Sequence, residues 1–169
     1  ADTYYAGNEL SEAIAIYNKT EGANDYTQFQ KAMAIGFKGD TEAKIVELKK
    51  LISTYKNSEY QDDAYYELGT SYASIDQFQN SSDAFSQVIK IGADKDLVAN
   101  AEIYRAQNYE DLNQPEKALA ELKSLGNKYK NTAYAEKIVA AAKPIYLKNG
   151  DASGYEYFAK NLGVNIAQT

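Results

Sequence analysis

The chain has 169 residues, 44% of them hydrophobic, with 18 basic against 24 acidic side chains and a formal net charge of −6. That length can bury a real core, and no stretch approaches the ~20 apolar residues of a membrane-spanning helix. The acid excess argues against nucleic acid, which needs a basic face, and the absence of both cysteine and histidine removes disulfides, thiol catalysis, the commonest general base and the commonest transition-metal ligand.

Taken from the start, Ala1 to Ala6 read as the tail of a helix whose beginning is missing, so the chain is expected to be a piece of a longer protein. Helices follow at about 9–19, 25–37, 41–55, 59–74, 77–91, 96–111, 115–129, 132–148 and 152–161, each an apolar-periodic run. Gly22, Gly39, Gly92, Gly150 and Gly163 stand where helices should end. Asp25 with Gln28, and Ser58 with Gln61, have capping-box spacing. Asp40 and Asp151 directly follow glycines and are placed to cap the next helix. Pro115 falls in a first turn, where its missing N–H costs nothing. Pro144 falls inside the helix at 132–148, so a kink near Ala140–Pro144, or two shorter helices, is expected there. Alternating strand patterns are not evident, and the expected fold class is all-α.

The elements repeat. At a shift of 74, Glu47, Leu48, Lys49, Leu51, Tyr55, Lys56, Asn57 and Tyr60 recur as Glu121, Leu122, Lys123, Leu125, Tyr129, Lys130, Asn131 and Tyr134. Half that shift lays Ala64, Gly69, Tyr72, Phe85 and Val88 over Ala101, Ala106, Tyr109, Leu122 and Leu125. A 37-residue period holds two helices and two turns. It divides the chain into a partial repeat at 1–22, repeats at about 25–57, 58–94 and 95–131, and a capping repeat at 132–169. All belong to one expected domain, in which Leu48, Phe85 and Leu122 take equivalent buried places. Regularity should fade at the end, because Lys143 stands where Gly69 and Ala106 stand.

The run Tyr65-x2-Leu68-Gly69-x2-Tyr72, followed by Phe78, Ser81, Phe85 and Val88, resembles the tetratricopeptide repeat (TPR) pattern, and Tyr4, Ala13 and Tyr17 join at corresponding places. Arg105 departs from it by replacing the usual leucine. Lys56, Ala93 and Lys130 replace a closing proline. The phrase from Tyr55 to Gly69 is similar to the long-period variety typical of bacterial envelope proteins, most like the C-terminal part of long TPR proteins of Bacteroidetes-type bacteria. The resemblance implies a right-handed α-solenoid of antiparallel helix hairpins. It further implies a non-enzymatic protein–protein interaction scaffold with a protein or peptide partner, in or beside a periplasmic or outer-membrane complex.

By the same resemblance, the first helix of each hairpin lines a concave groove. The expected partner-binding residues are Asp63, Tyr66 and Thr70 (with Ser74) from one repeat, and Asn100, Ile103, Gln107 and Glu110 from the next. The helix at 25–37 offers Tyr26, Phe29, Met33 and Phe37. These form either an aromatic strip in the groove or the core stripe of that helix. An alternative function is carbohydrate binding, with Tyr26, Phe29 and Tyr66 as stacking platforms. Seven repeat-equivalent tyrosines (Tyr55, Tyr60, Tyr72, Tyr109, Tyr129, Tyr134 and Tyr146) read as packing. Asp62, Asp63 and Glu67 read as acids that favour a helix N-terminus, and Glu47 and Glu121 as members of solvated outer faces. No cofactor or metal is expected, and no catalytic residues: the glycines lack phosphate-loop spacing, and without histidine a Ser–His triad cannot be assembled.

Overall fold

The computed structural model describes residues 2–19 and 24–168. Gly22 and the Tyr4 side chain lie outside the described residues. All regular structure among the described residues is helical: α1 (Asp2–Lys19), α2 (Asp25–Phe37), α3 (Thr41–Thr54), α4 (Gln61–Ser74), α5 (Phe78–Ile91), α6 (Lys95–Asp111), α7 (Pro115–Lys128), α8 (Tyr134–Lys148) and α9 (Ala152–Asn161), then a 3-10 turn at Ile166–Gln168. The helix α1 begins well before the expected position, and the other boundaries agree closely with those read from the periodicity.

Two compact units result, Ala1–Ile91 and Gly92–Thr169. In the first, α2 packs on α3, α4 on α5, α3 on α4 and α1 on α2; in the second, α6 packs on α7 and α8 on α9, while α8 also meets α6 and α7. The helix pairs are therefore those that a 37-residue period predicts. Each unit has its own apolar cluster. One is built on Leu48, Leu51, Ala64 and Leu68, the other on Leu122, Ile138, Ile145 and Phe158. Leu48, Phe85 and Leu122 are all buried, as repeat equivalence requires. Gly69 lets α4 and α5 approach, since a Cβ there would stand 2.6 Å from the Phe85 ring. The seven repeat-equivalent tyrosines lie in or against the two clusters.

The period is written in the backbone as well. Gly39, Asp76, Asn113 and Gly150, 37 residues apart, all have positive φ (93°, 60°, 59° and 69°) and end α2, α4, α6 and α8. After three of them the next amide reaches back to a tyrosine carbonyl: Gln77 to Tyr72 at 2.9 Å, Gln114 to Tyr109 at 2.7 Å, Asp151 to Tyr146 at 2.9 Å. This is the Schellman pattern, which satisfies carbonyls a helix end leaves open. Sequence reading found the two glycines and missed Asp76 and Asn113, whose short polar side chains tolerate the left-handed region.

Capping is partly as expected. Asp40 accepts from the Ala43 amide and Asp151 from the Gly154 amide, each at 2.9 Å. The other two boxes are corrected. Asn24, not Asp25, caps α2, in a reciprocal box with Thr27, and this frees Gln28 to turn inward and donate to the Glu47 carbonyl and carboxylate at 2.9 and 2.6 Å. At α4 no side chain caps the first turn. Ser58 instead accepts from the Tyr60 amide, and Gln61 closes the end of α3 by donating to the carbonyls of Ile52 and Tyr55. Glu47 is likewise no solvated residue: it is half-buried, with Lys31 at 3.4 Å.

Pro144 does not divide its helix. The helix α8 runs unbroken from Tyr134 to Lys148. Pro144 and Ala140 are both exposed, so the carbonyl deprived of its N–H partner belongs to a residue on the solvated side, where water can serve it. Buried Ile138, Val139, Ala142, Ile145 and Tyr146 hold both halves of the helix to one core.

Two polar contacts tie α6 to α7 and its C-terminal end in the second unit. Arg105, standing in place of a leucine, meets Glu121 of α7 at 3.5 Å. Glu102, buried on α6, accepts from Lys128 at 2.8 Å and from the Tyr129 hydroxyl at 2.7 Å. Burial pushes the Tyr129 phenol above its ordinary value, and the bond to Glu102 adds to the shift. A phenol that holds its proton longer in the folded chain leaves stability unchanged below the unfolded pKa of about 10 and erodes it as pH climbs past that value. Tyr129→Phe is expected to diminish the late phase of phenolate absorbance and to flatten the alkaline fall in stability. A late phase of unchanged amplitude would show that Tyr129 titrates like a surface tyrosine.

Candidate functional site

The ten expected binding residues divide between the units, six in the first and four in the second. In the first unit, Tyr26 opens α2 and is 50% exposed. Phe29 lies one turn on, half-buried, and stacks on Tyr60 with centroids 5.6 Å apart and planes at 20°. Tyr26 also meets Tyr60, at 6.0 Å and a tilt of 52°. Met33 is half-buried further along, and Phe37 at the helix end is exposed. The alternatives for this stripe therefore resolve residue by residue: Phe29 packs against the core cluster, while Tyr26 and Phe37 face outward. The inward side of α2 is taken by Gln28, Ala32 and Ala34.

On α4, Asp63, Tyr66 and Thr70 are half-buried while Ala64, Leu68 and Ser71 are buried. Tyr66 stands edge-on to Phe85 at 5.8 Å, and the Thr70 hydroxyl donates to the Glu67 carbonyl at 3.1 Å. Glu67 itself is paired with Lys44 of α3 at 2.6 Å. Tyr60, which sequence reading placed among packing residues, is the piece it missed. Its ring joins Tyr26 and Phe29, and the only signal for it was an aromatic recurring at Tyr134. Burial raises the Tyr60 phenol above its ordinary value, with Glu59, Asp25, Tyr26 and Asp63 adding to the shift.

In the second unit one expectation fails. Ile103, set by repeat equivalence opposite Tyr66, is 3% exposed and part of the core. Equivalence fixes the backbone position, but a branched aliphatic chain is drawn inward where a tyrosine can keep its hydroxyl in water. The others remain at least partly accessible. Asn100 donates to the Asp96 carbonyl and accepts from Lys137 at 2.8 Å; Gln107 is half-buried, and Glu110 is paired with Lys148. On α8, Leu147 is 49% exposed. Among the described residues no group of three or more acids converges in the manner of a metal site, and no helix is long and apolar enough to cross a membrane.

Solved structures share this fold. A crystal structure of MamA superposes with a TM-score of 0.73 at 19% identity, over 95% of this chain and 91% of that one. A putative kinesin light chain with nearly identical TPR-like repeats from Podosopora anserina gives 0.70 at 16% identity, over 92% and 82%. MamA from Desulfovibrio magneticus RS-1, residue 41 to the end, gives 0.71 at 16%, over 90% and 83%. The fold is TPR-like. No family model matches the chain, and no curated protein does. Within the TPR-like frame α2, α4, α6 and α8 are first helices, and α3, α5, α7 and α9 are their partners.

Proposed function

We propose that the chain is a non-enzymatic interaction scaffold that receives a peptide or partner domain on the outward face of its first helices. One observation carries this reading. In the first unit, Tyr26, Phe29 and Met33 on α2 and Asp63, Tyr66 and Thr70 on α4 occupy repeat-equivalent places and stay outside the fully buried core. Beside them on the same helices, Gln28, Ala32 and Ala34 of α2 and Ala64, Leu68 and Ser71 of α4 are buried against the rest of the unit. Large aromatic side chains supply contact area at low entropic cost. The carbohydrate reading gains nothing from the geometry: Phe29 already has a ring face against Tyr60, and Tyr66 stands edge-on to Phe85.

The resemblance to envelope repeats supports a periplasmic or outer-membrane-associated complex as the setting, which fractionation of the source cells would test. For the binding itself, a displayed random peptide library is selected on the chain. Thr70→Arg is expected to abolish recovery of the enriched peptides, whereas Gln87→Arg on α5 leaves it intact. Circular dichroism confirms that both variants fold. Failure to enrich any peptide, or enrichment indifferent to Thr70→Arg, defeats the reading.

A further inference from the structure

The first unit carries 14 acidic and 8 basic side chains, the second 10 and 10, so the whole net charge belongs to the first. Two of its lysines are ion-paired, Lys31 with Glu47 and Lys44 with Glu67. Three of its acids, Asp25, Glu59 and Asp63, flank one corner, where the start of α2 meets the loop before α4. Asp25 accepts from the Ser58 hydroxyl at 2.6 Å across that junction; Glu59 is exposed beside Tyr60, and Asp63 lies in the first turn of α4. Helix macrodipoles account for acids in first turns, but Glu59 precedes α4 and the Asn24 side chain already caps α2. Nor does a macrodipole account for the three rings at the same corner, one of them 50% exposed.

We propose that the corner formed by Tyr26, Phe29 and Tyr60, rimmed by Asp25, Glu59 and Asp63, receives a lysine or arginine side chain of the bound peptide. The proposal rests on the interaction-scaffold reading and narrows its partner to a basic segment. The chemistry is complementary at each level. Aromatic faces carry negative potential that attracts an ammonium or guanidinium. The alkyl stem of either side chain covers apolar ring surface while its head stays at the wet rim, among the carboxylates. The acid excess of the unit draws a basic chain toward it before contact.

The test uses three capped tripeptides as probes, acetyl-Ala-Lys-Ala-amide and its norleucine and glutamate counterparts, titrated into the full chain and followed by backbone amide shifts. The lysine probe is expected to move amides at 24–29 and 58–63, about fivefold or more tightly than the norleucine probe, with binding that weakens as salt rises. Tyr26→Ala and Glu59→Lys, both at accessible positions, are each expected to weaken it at least about fivefold, with unchanged circular dichroism. Equal shifts from norleucine make the corner a plain apolar patch and overturn the proposal, as do shifts centred elsewhere. Library peptides provide the separate control. If they bind in a Thr70-dependent way but replacing their basic residues by norleucine changes nothing, this inference fails and the scaffold reading stands.

Discussion

Truncating Phe85 to alanine is expected to lower stability by about 3–5 kcal/mol, the cost of removing a buried aromatic ring and leaving its cavity. The ring is 1% exposed, meets Tyr66 edge-on and lies directly over Gly69. Denaturant unfolding measures the loss, and a value under about 1 kcal/mol would mean the ring is not core. Gly69 sharpens the experiment. Alone, Gly69→Ala gains about 1 kcal/mol of helix propensity but sets a methyl 2.6 Å from the ring, an overpacking that costs about 1–3 kcal/mol, so the net effect is destabilising. In the Phe85→Ala background the obstruction is gone, and the same substitution should stabilise. A sign that stays the same in both backgrounds would deny that ring and glycine are matched.

Pro144→Ala is expected to stabilise the chain by about 2 kcal/mol. Proline in a helix interior costs about 3 kcal/mol relative to alanine, and roughly 0.4–1 kcal/mol of that is returned through the stiffer unfolded chain. The substitution supplies an N–H to the Ala140 carbonyl, and because Pro144 is exposed it leaves no cavity. Thermal unfolding should shift upward. An unchanged or lowered midpoint would show that the ring makes contacts worth as much as the missing bond.

What could be read in the sequence follows from how local the cause is. The helices depend on spacing within one or two turns, the 37-residue period and the buried trio Leu48, Phe85 and Leu122 on recurrence along the chain, and all are found in the fold. Gln28 illustrates the other case. Its neighbour Asp25 suggests a cap, but the side chain is satisfied by Glu47 on another helix, a pairing no window of sequence contains. Asp76 and Asn113 failed for a different reason: their left-handed backbone is demanded by the turn, and residue type only permits it. At the candidate surface, spacing placed Tyr26 and Phe29 along α2, and repeat position placed Tyr66 on α4. It could not tell that Ile103 would sink into the core, or that Tyr60 would arrive from a loop to join Tyr26.

The four left-handed turns at 39, 76, 113 and 150 have an evolutionary consequence. Each is a seam at which one helix has just been closed and the next is about to begin, and at all four the positive-φ residue stands two positions beyond the end of its helix. Loss of residues 40–76 would join Gly39 to Gln77, and the chain would cross from one seam to another without a new turn having to be invented. A duplication of the same stretch would do the same in reverse. Changes of length in steps of 37 residues are therefore neutral to local geometry at these joints, whereas gain or loss of one residue displaces the positive-φ position from its place. Such a gene can lengthen or shorten by whole repeats more easily than it can by single codons.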